Sequence, residues 1–296
     1  MKTLMALLVL IISTHTLADS VSLHLFRSPL GINWATPWEM TVSTLKNSVA
    51  NTHGKRAFSI SHVFAEINCN STNEHIYRGQ TSIENSGERD LLFKKKYGMG
   101  VMFFTYEGKF EKDETILNDM APYEGSERRG TFTAIVNPAT CQRMLRYVRE
   151  YEERGYGNIY SGLQADPLKG EGSGCSAFAV SFLRVGGLME PFVKEWQNVI
   201  DVPKRFVGGP LTGNKVSIFK LLASPGAKWS NKEAHIHLEA WNPERMLEWV
   251  NKTHDFVLNG GVMEGLGVSI DSVGESRHVT VDLYDRATPY GPIWLI

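Results

Sequence analysis

The chain is short of cysteine, of net charge and of long apolar runs, and each shortage excludes something. Its 296 residues include three cysteines, Cys69, Cys141 and Cys175. That is too few for a scaffold stapled by disulfides, and an odd number leaves one thiol over if the others pair. The formal net charge is −1 at pH 7, so there is no global electrostatic basis for nucleic-acid binding. Local runs such as Lys94-Lys95-Lys96 read as solvated turn faces. No segment offers the roughly twenty consecutive apolar residues that span a bilayer. Repeats and low-complexity stretches are missing. The turn-rich Gly208-Gly209-Pro210-Leu211-Thr212-Gly213 lacks the lysine of a phosphate loop.

What is present begins with a leader. Lys2 is followed by an apolar run from Leu4 to Ile12, and Thr16-Leu17-Ala18 ends in a small residue. This is the pattern of a secretory signal peptide over 1–18. The expectation is an exported protein, periplasmic or secreted, with no membrane span. An exported chain normally pairs its cysteines, and three pairings are open. If Cys69 bonds Cys141, then Cys175 is the free thiol; a disulfide at Cys175 removes it as a nucleophile.

The patterning predicts an α+β fold. Ala57 to Ile67 and Glu74 to Ser82 read as strands of a hairpin across the turn cluster Asn68 to Asn73. Val101 to Glu107 and Thr131 to Val136 read as further strands, and Tyr156 to Ala165 as a strand or an extended segment. Thr41 to Val49 fits a strand or a short helix. Pro138 opens a helix to about Arg154, with Cys141, Met144, Leu145, Val148 and Tyr151 at helical spacing. The run from Cys175 to Leu183 is a helix ended by Gly186-Gly187. Pro191 to Val199 is predicted as an amphipathic helix. Pro243 to Lys252 is a helix opened by Asn242, and the chain from Val262 forms short strands.

Cys175 follows the flexible stretch Gly170-Glu171-Gly172-Ser173-Gly174 and opens its helix. The first turn of a helix has unpaired N–H groups and the positive end of the dipole, which favour the thiolate, the nucleophilic form. Such a cysteine is also a good small core residue. A thiolate nucleophile needs a base, usually His, and often a third group to orient it. His62, Phe64 and Glu66 share one face of a candidate strand. His75 lies opposite His62 if the turn centres near Asn68-Cys69, and opposite Glu66 if it centres near Asn70-Ser71. Either His75 or Glu66 is then placed to orient His62.

The run from Gly174-Cys175-Ser176-Ala177-Phe178 through Leu183-Arg184-Val185-Gly186-Gly187-Leu188 resembles the cysteine-bearing helix of the NlpC/P60 superfamily. The motif Ser61-His62-Val63-Phe64-Ala65-Glu66-Ile67 precedes it by more than a hundred residues. That order resembles the circularly permuted branch, which holds the lecithin:retinol-acyltransferase-like and YiiX/YaeF-like proteins. The resemblance implies a papain-like core, an antiparallel sheet packed on the cysteine-bearing helix. It implies Cys175 as nucleophile, His62 as base and His75 as orienting group, with Glu66 as the alternative. It implies a thiol hydrolase (peptidase or amidase) or acyltransferase acting on a peptide or lipid-like substrate, such as a cell-wall peptide, without a cofactor. Gly174 stands where the family often has an acidic residue or Asn. The expected layout is a papain-like domain over 19–200 and a C-terminal extension over 201–296, packed on the core or forming a small subdomain with further α/β elements.

Two other readings stand beside it. The same fold without catalysis would be a secreted binding module. A metal-dependent hydrolase could use His235 and His237, which share one strand face with Glu239; no fourth ligand accompanies them, and a solvated strand face accounts for the pattern. Trp34, Trp38, Trp229, Trp241 and Trp249 could line a cleft, though most belong in a core.

Overall fold

The computed structural model describes residues 18–52, 58, 60–83 and 87–296; nearly all of the predicted leader lies outside these. In chain order the elements are β1 (Asp19–Phe26), α1 (Pro37–Thr52), β2 (His62–Cys69), β3 (Glu74–Ser82), α2 (Glu88–Phe93), β4 (Tyr106–Lys112), α3 (Asp113–Met120), β5 (Arg129–Val136) and α4 (Pro138–Glu153). There follow β6 (Ile159–Tyr160), α5 (Cys175–Gly186), β7 (Gln197–Pro203), α6 (Ile218–Leu222), β8 (His235–Trp241), α7 (Pro243–Leu258), β9 (Gly267–Val273) and β10 (Ser276–Asp282). The fold is α+β, built on an eight-stranded sheet in the order β6-β4-β3-β2-β1-β5-β10-β9, with β7 and β8 forming a separate ribbon. The sheet is mixed rather than antiparallel, because β10 runs parallel to β5.

Alternation sorts the sheet's two faces. Val21, Leu23 and Leu25 of β1, Val63, Ala65 and Ile67 of β2, and Phe132, Ala134 and Val136 of β5 are buried in the main core. Helices α4, α5 and α7 pack on that face. The opposite face carries His24, His62, Phe64 and Glu66, with a smaller cluster of Phe26, Phe64, Ile116, Met120 and Tyr123. The last hundred residues are distributed through this architecture. β9 and β10 complete one side of the sheet, α7 joins its helical layer, and β8 pairs with β7.

Local chemistry explains the helix ends. Asn137 caps α4 by accepting from the Thr140 N–H at 2.9 Å, and Pro138 sits at the first turn, where a missing N–H costs nothing. Gly187 ends α5 in the left-handed region at φ 71°. Thr41 to Val49 takes its helical alternative, inside α1. Other predicted elements differ, and Tyr156 to Ala165 holds only the short strand β6. Strand β4 begins at Tyr106, after a 3-10 turn over Met99–Phe103. The expected helix over Pro191–Val199 is a 3-10 turn, Pro191–Trp196, that leads into β7. Val199, Ile200 and Val202 pair with β8 instead, since β-branched side chains suit a pleated ribbon better than a helix.

Cys69, at the end of β2, is bonded to Cys141 in the first turn of α4, with Cα atoms 5.8 Å apart. The bond ties the helical layer to the sheet and leaves Cys175 as the free cysteine. No helix among the described residues is long and apolar enough to cross a membrane.

Candidate active site

The site forms where the N-terminus of α5 meets the beginning of β2. Gly174 is the N-cap residue of α5 and offers no side-chain cap. Phe178 N–H is the first to bond back, to Gly174 O at 3.1 Å. The amides of Cys175, Ser176 and Ala177 therefore have no partner among the described residues, as expected of a first turn. Ser176 instead donates its hydroxyl to Trp241 O at 2.9 Å, which anchors the turn to the β7–β8 ribbon. Cys175 is 6% exposed.

The glycine-rich approach has two different kinds of glycine. Gly170 and Gly172 adopt φ of 72° and 69°, a region open to glycine and costly for other residues. A Cβ on Gly172 would also overlap the Ile159 carbonyl oxygen. Gly174 has ordinary backbone geometry, φ −82°, and the nearest atom to a Cβ there is the Tyr160 hydroxyl oxygen at 3.8 Å.

His62 is the first residue of β2 and is buried. Its ring stacks on Phe58 at 4.6 Å between centroids and meets Phe64 edge-on at 4.5 Å. These two rings hold the imidazole in place. Its Nε2 lies 3.6 Å from Oε2 of Glu111 on β4. That separation exceeds hydrogen-bond length, so the contact is an ion pair. Glu111 reaches His62 across β3, where its register partner is Gly79. A side chain at Gly79 would run into the Phe64 ring and the Glu111 carboxylate.

Charge then decides the state of His62. Burial alone pulls an imidazole toward neutrality. The Cys175 sulfur, by charge and hydrogen bonding, and the Glu111 carboxylate outweigh burial and push His62 up to about 10. The arrangement favours the charged imidazolium of His62. Tyr160, on β6, is held well above the usual phenol range by burial and by the nearby charges of Cys175 and Glu88, so its hydroxyl stays a donor.

Cys175 is thus one of the groups whose charge acts on His62. The structure does not bring His75 or Glu66 to His62. The β2–β3 turn places His75 opposite Asn68, and His75 Nε2 lies 2.7 Å from Glu66 Oε1. The other Glu66 oxygen lies 2.7 Å from His24 Nε2, and Tyr77 OH donates to Glu66 at 3.1 Å. These partners overcome burial and hold the Glu66 carboxyl down at about 2. The cluster is separated from His62 by Phe64 on the same strand face.

Comparison with family models, with curated proteins and with solved structures finds no match. The site is therefore read from its own geometry. Glu111 and Tyr160 have no signal in the sequence: each lies on a strand remote from both motifs and meets Cys175 or His62 only after the sheet has formed.

His235 and His237 lie on β8 beside Asp201 of β7. His237 Nδ1 is 2.8 Å from Asp201 Oδ1, and His235 Nε2 is 3.7 Å from the same atom. Asp201, joined by Glu239, raises the pKa of His237, which keeps this ring a partner of carboxylates. Among the described residues no group of three or more His, Cys, Asp or Glu side chains is placed to hold a metal ion.

Proposed function

We propose that this protein is an exported thiol hydrolase or acyltransferase acting on an amide or ester carbonyl. One observation carries the reading: the single unpaired cysteine opens α5 and interacts with an imidazole that the chain supplies from more than a hundred residues away. Cys175 is the nucleophile, His62 the proton carrier and Glu111 the group that orients His62 and sustains its charge. His75 and Glu66 are replaced in that role. The resemblance to the permuted NlpC/P60 branch agrees in chain order, histidine strand before cysteine helix, and supports a papain-like reading of the core. The disulfide supports export.

The steps follow from the geometry. The Cys175 thiolate adds to the carbonyl carbon, and the oxygen takes the electron pair. The free first-turn amides stabilise that oxyanion. The tetrahedral adduct collapses, the bond to the leaving nitrogen or oxygen breaks, and His62 gives its proton to the leaving group. An acyl thioester remains. Neutral His62 then takes a proton from water, or from an acceptor alcohol or amine, as it attacks the thioester. Collapse of the second adduct releases the acid or the transferred acyl product and restores the thiolate facing imidazolium.

The test uses thiol chemistry and turnover together. Wild-type protein should be alkylated by iodoacetamide at one residue, Cys175, and lose hydrolysis of a panel of peptide amides and acyl esters. Cys175→Ala should abolish both labelling and turnover while keeping the circular dichroism spectrum. Full turnover by Cys175→Ala would overturn the assignment.

A further inference from the structure

A second set of polar groups lies between the loop after β1 and helix α7. Two adjoining cavities of about 580 and 510 Å³ share Arg27, Ile32, Asn33 and Glu244 in their walls. The second is also lined by Trp34, Asn198, Asn242 and Asn251. Its frame is fixed. The Glu244 carboxylate accepts from Ser28 Oγ and, at 2.9 Å, from the Ile32 N–H, which fastens the loop to the start of α7. A binding surface held this way loses little freedom when a ligand arrives.

The chemistry of the lining is distinctive. Four carboxamides surround one cavity, and among the described residues none of their NH2 groups finds an acceptor. Asn33 and Asn242 use their side-chain oxygens to cap turns, accepting from Ala35 N and Glu244 N, which leaves the NH2 groups over. Asn198 is 6% exposed, and its enclosed Nδ2 has no partner. An unpaired buried donor is costly unless something accepts from it. Trp34 adds a half-buried indole whose N–H has no acceptor among the described residues, in contrast to Trp38 and Trp229, which donate to Leu222 O and Trp34 O.

The charges lining the same cavity are mixed. Arg27, Arg245 and Lys252 stand against Glu127, Glu244, Glu248 and Asp255. Ser28 and the Ile32 N–H take up Glu244, Lys252 pairs with Glu248 and Arg277 with Asp255, each at 2.7 Å. Such a wall has no cationic excess to hold an anion, and most of its carboxylates are already partnered. Planar amides that donate and accept together, beside an aromatic ring with an apolar face and a polar edge, match a ligand of the same mixed character: hydroxyls around an apolar ring. We infer that this groove binds an uncharged oligosaccharide. The two cavities side by side give room for more than one sugar unit. The inference stands apart from the thiol chemistry.

Isothermal titration of the whole mature protein tests it. The probes are the β-1,4-linked hexamer of N-acetylglucosamine, cellohexaose and maltohexaose, with polygalacturonate and a neutral Gly-Ala peptide as comparisons. At least one neutral hexamer should bind. Trp34→Ala should weaken binding about tenfold and Asn251→Ala about fivefold, the loss of a stacked ring and of one hydrogen bond. Asn33→Ala and Asn251→Ala alter loop and helix surface and keep the test open if Trp34→Ala fails to fold. Cys175→Ala should bind as the parent does. Three results would overturn the inference: no neutral hexamer binding up to about 10 mM, a range that still detects weak sites; binding unchanged in both Asn33→Ala and Asn251→Ala; or preference for the polyanion or the peptide.

Discussion

Replacing Glu111 by Gln isolates the third member of the proposed site with almost no change of shape. In the parent, His62 Nε2 and Glu111 Oε2 are 3.6 Å apart and both side chains are buried. At an effective dielectric of about 20, that separation corresponds to a Coulomb attraction of about 5 kcal/mol. Relaxation takes up part of it, and a close opposite charge ordinarily moves a pKa by about 1–3 units. His62 titrates at about 10 in the parent. In Glu111→Gln it should therefore titrate about 1–3 units lower, still lifted by Cys175. The stability consequence has a definite sign. The folded pKa lies above the unfolded value of 6.5, so the stabilisation is complete below pH 6.5 and is lost as pH rises toward 10. Glu111→Gln should flatten that alkaline loss. The assay is a pH titration of the His62 ring resonance, run beside urea melts at pH 6 and pH 9. A parent His62 that titrates near 6.5, or a midpoint that ignores Glu111→Gln, refutes the reasoning.

Three further perturbations address the frame around the site. Joint replacement of Cys69 and Cys141 by Ser opens a bond between residues 72 apart and should cost about 2–5 kcal/mol in urea unfolding, with Cys175 labelling retained below the transition. Glu66, held at about 2 against an ordinary 4.5, stabilises the fold above pH 4.5 and loses that contribution as pH falls through 2. The parent should lose on the order of 3 kcal/mol on acidification from this group, and Glu66→Gln should lack that acid dependence in otherwise identical melts. Gly172→Ala should destabilise by more than about 2 kcal/mol, because it adds left-handed strain and overlap with the Ile159 carbonyl. Gly174→Ala has ordinary φ and space, so it should stay within about 1 kcal/mol of the parent; equal effects from the two would contradict the geometry.

Much of the local structure was legible in the chain. Helix α4 announces itself through Asn137, Pro138 and apolar positions at helical spacing, and α5 through its glycine-flanked apolar run. Those signals are local: a cap, a missing N–H, a left-handed C-terminal glycine. The region after Pro191 misled because its apolar residues suit either period, and the choice was made by β8, which pairs with it from some forty residues later. The pairing of Cys69 with Cys141 was one of three open choices until β2 and α4 were packed together.

The sequence by itself determined that this protein has an α+β pattern, a thiol at a helix start and a histidine on an early strand. Those features depend on near neighbours in the chain. Only the tertiary structure decided which residues meet. It set the β2–β3 register that gives His75 to Glu66, and it carried Glu111 across β3 to His62 through the space left by Gly79. It also gathered four asparagines from three parts of the chain into one groove. Sheet order and strand register are long-range properties, fixed by burial of a whole face at once, and no single segment contains them.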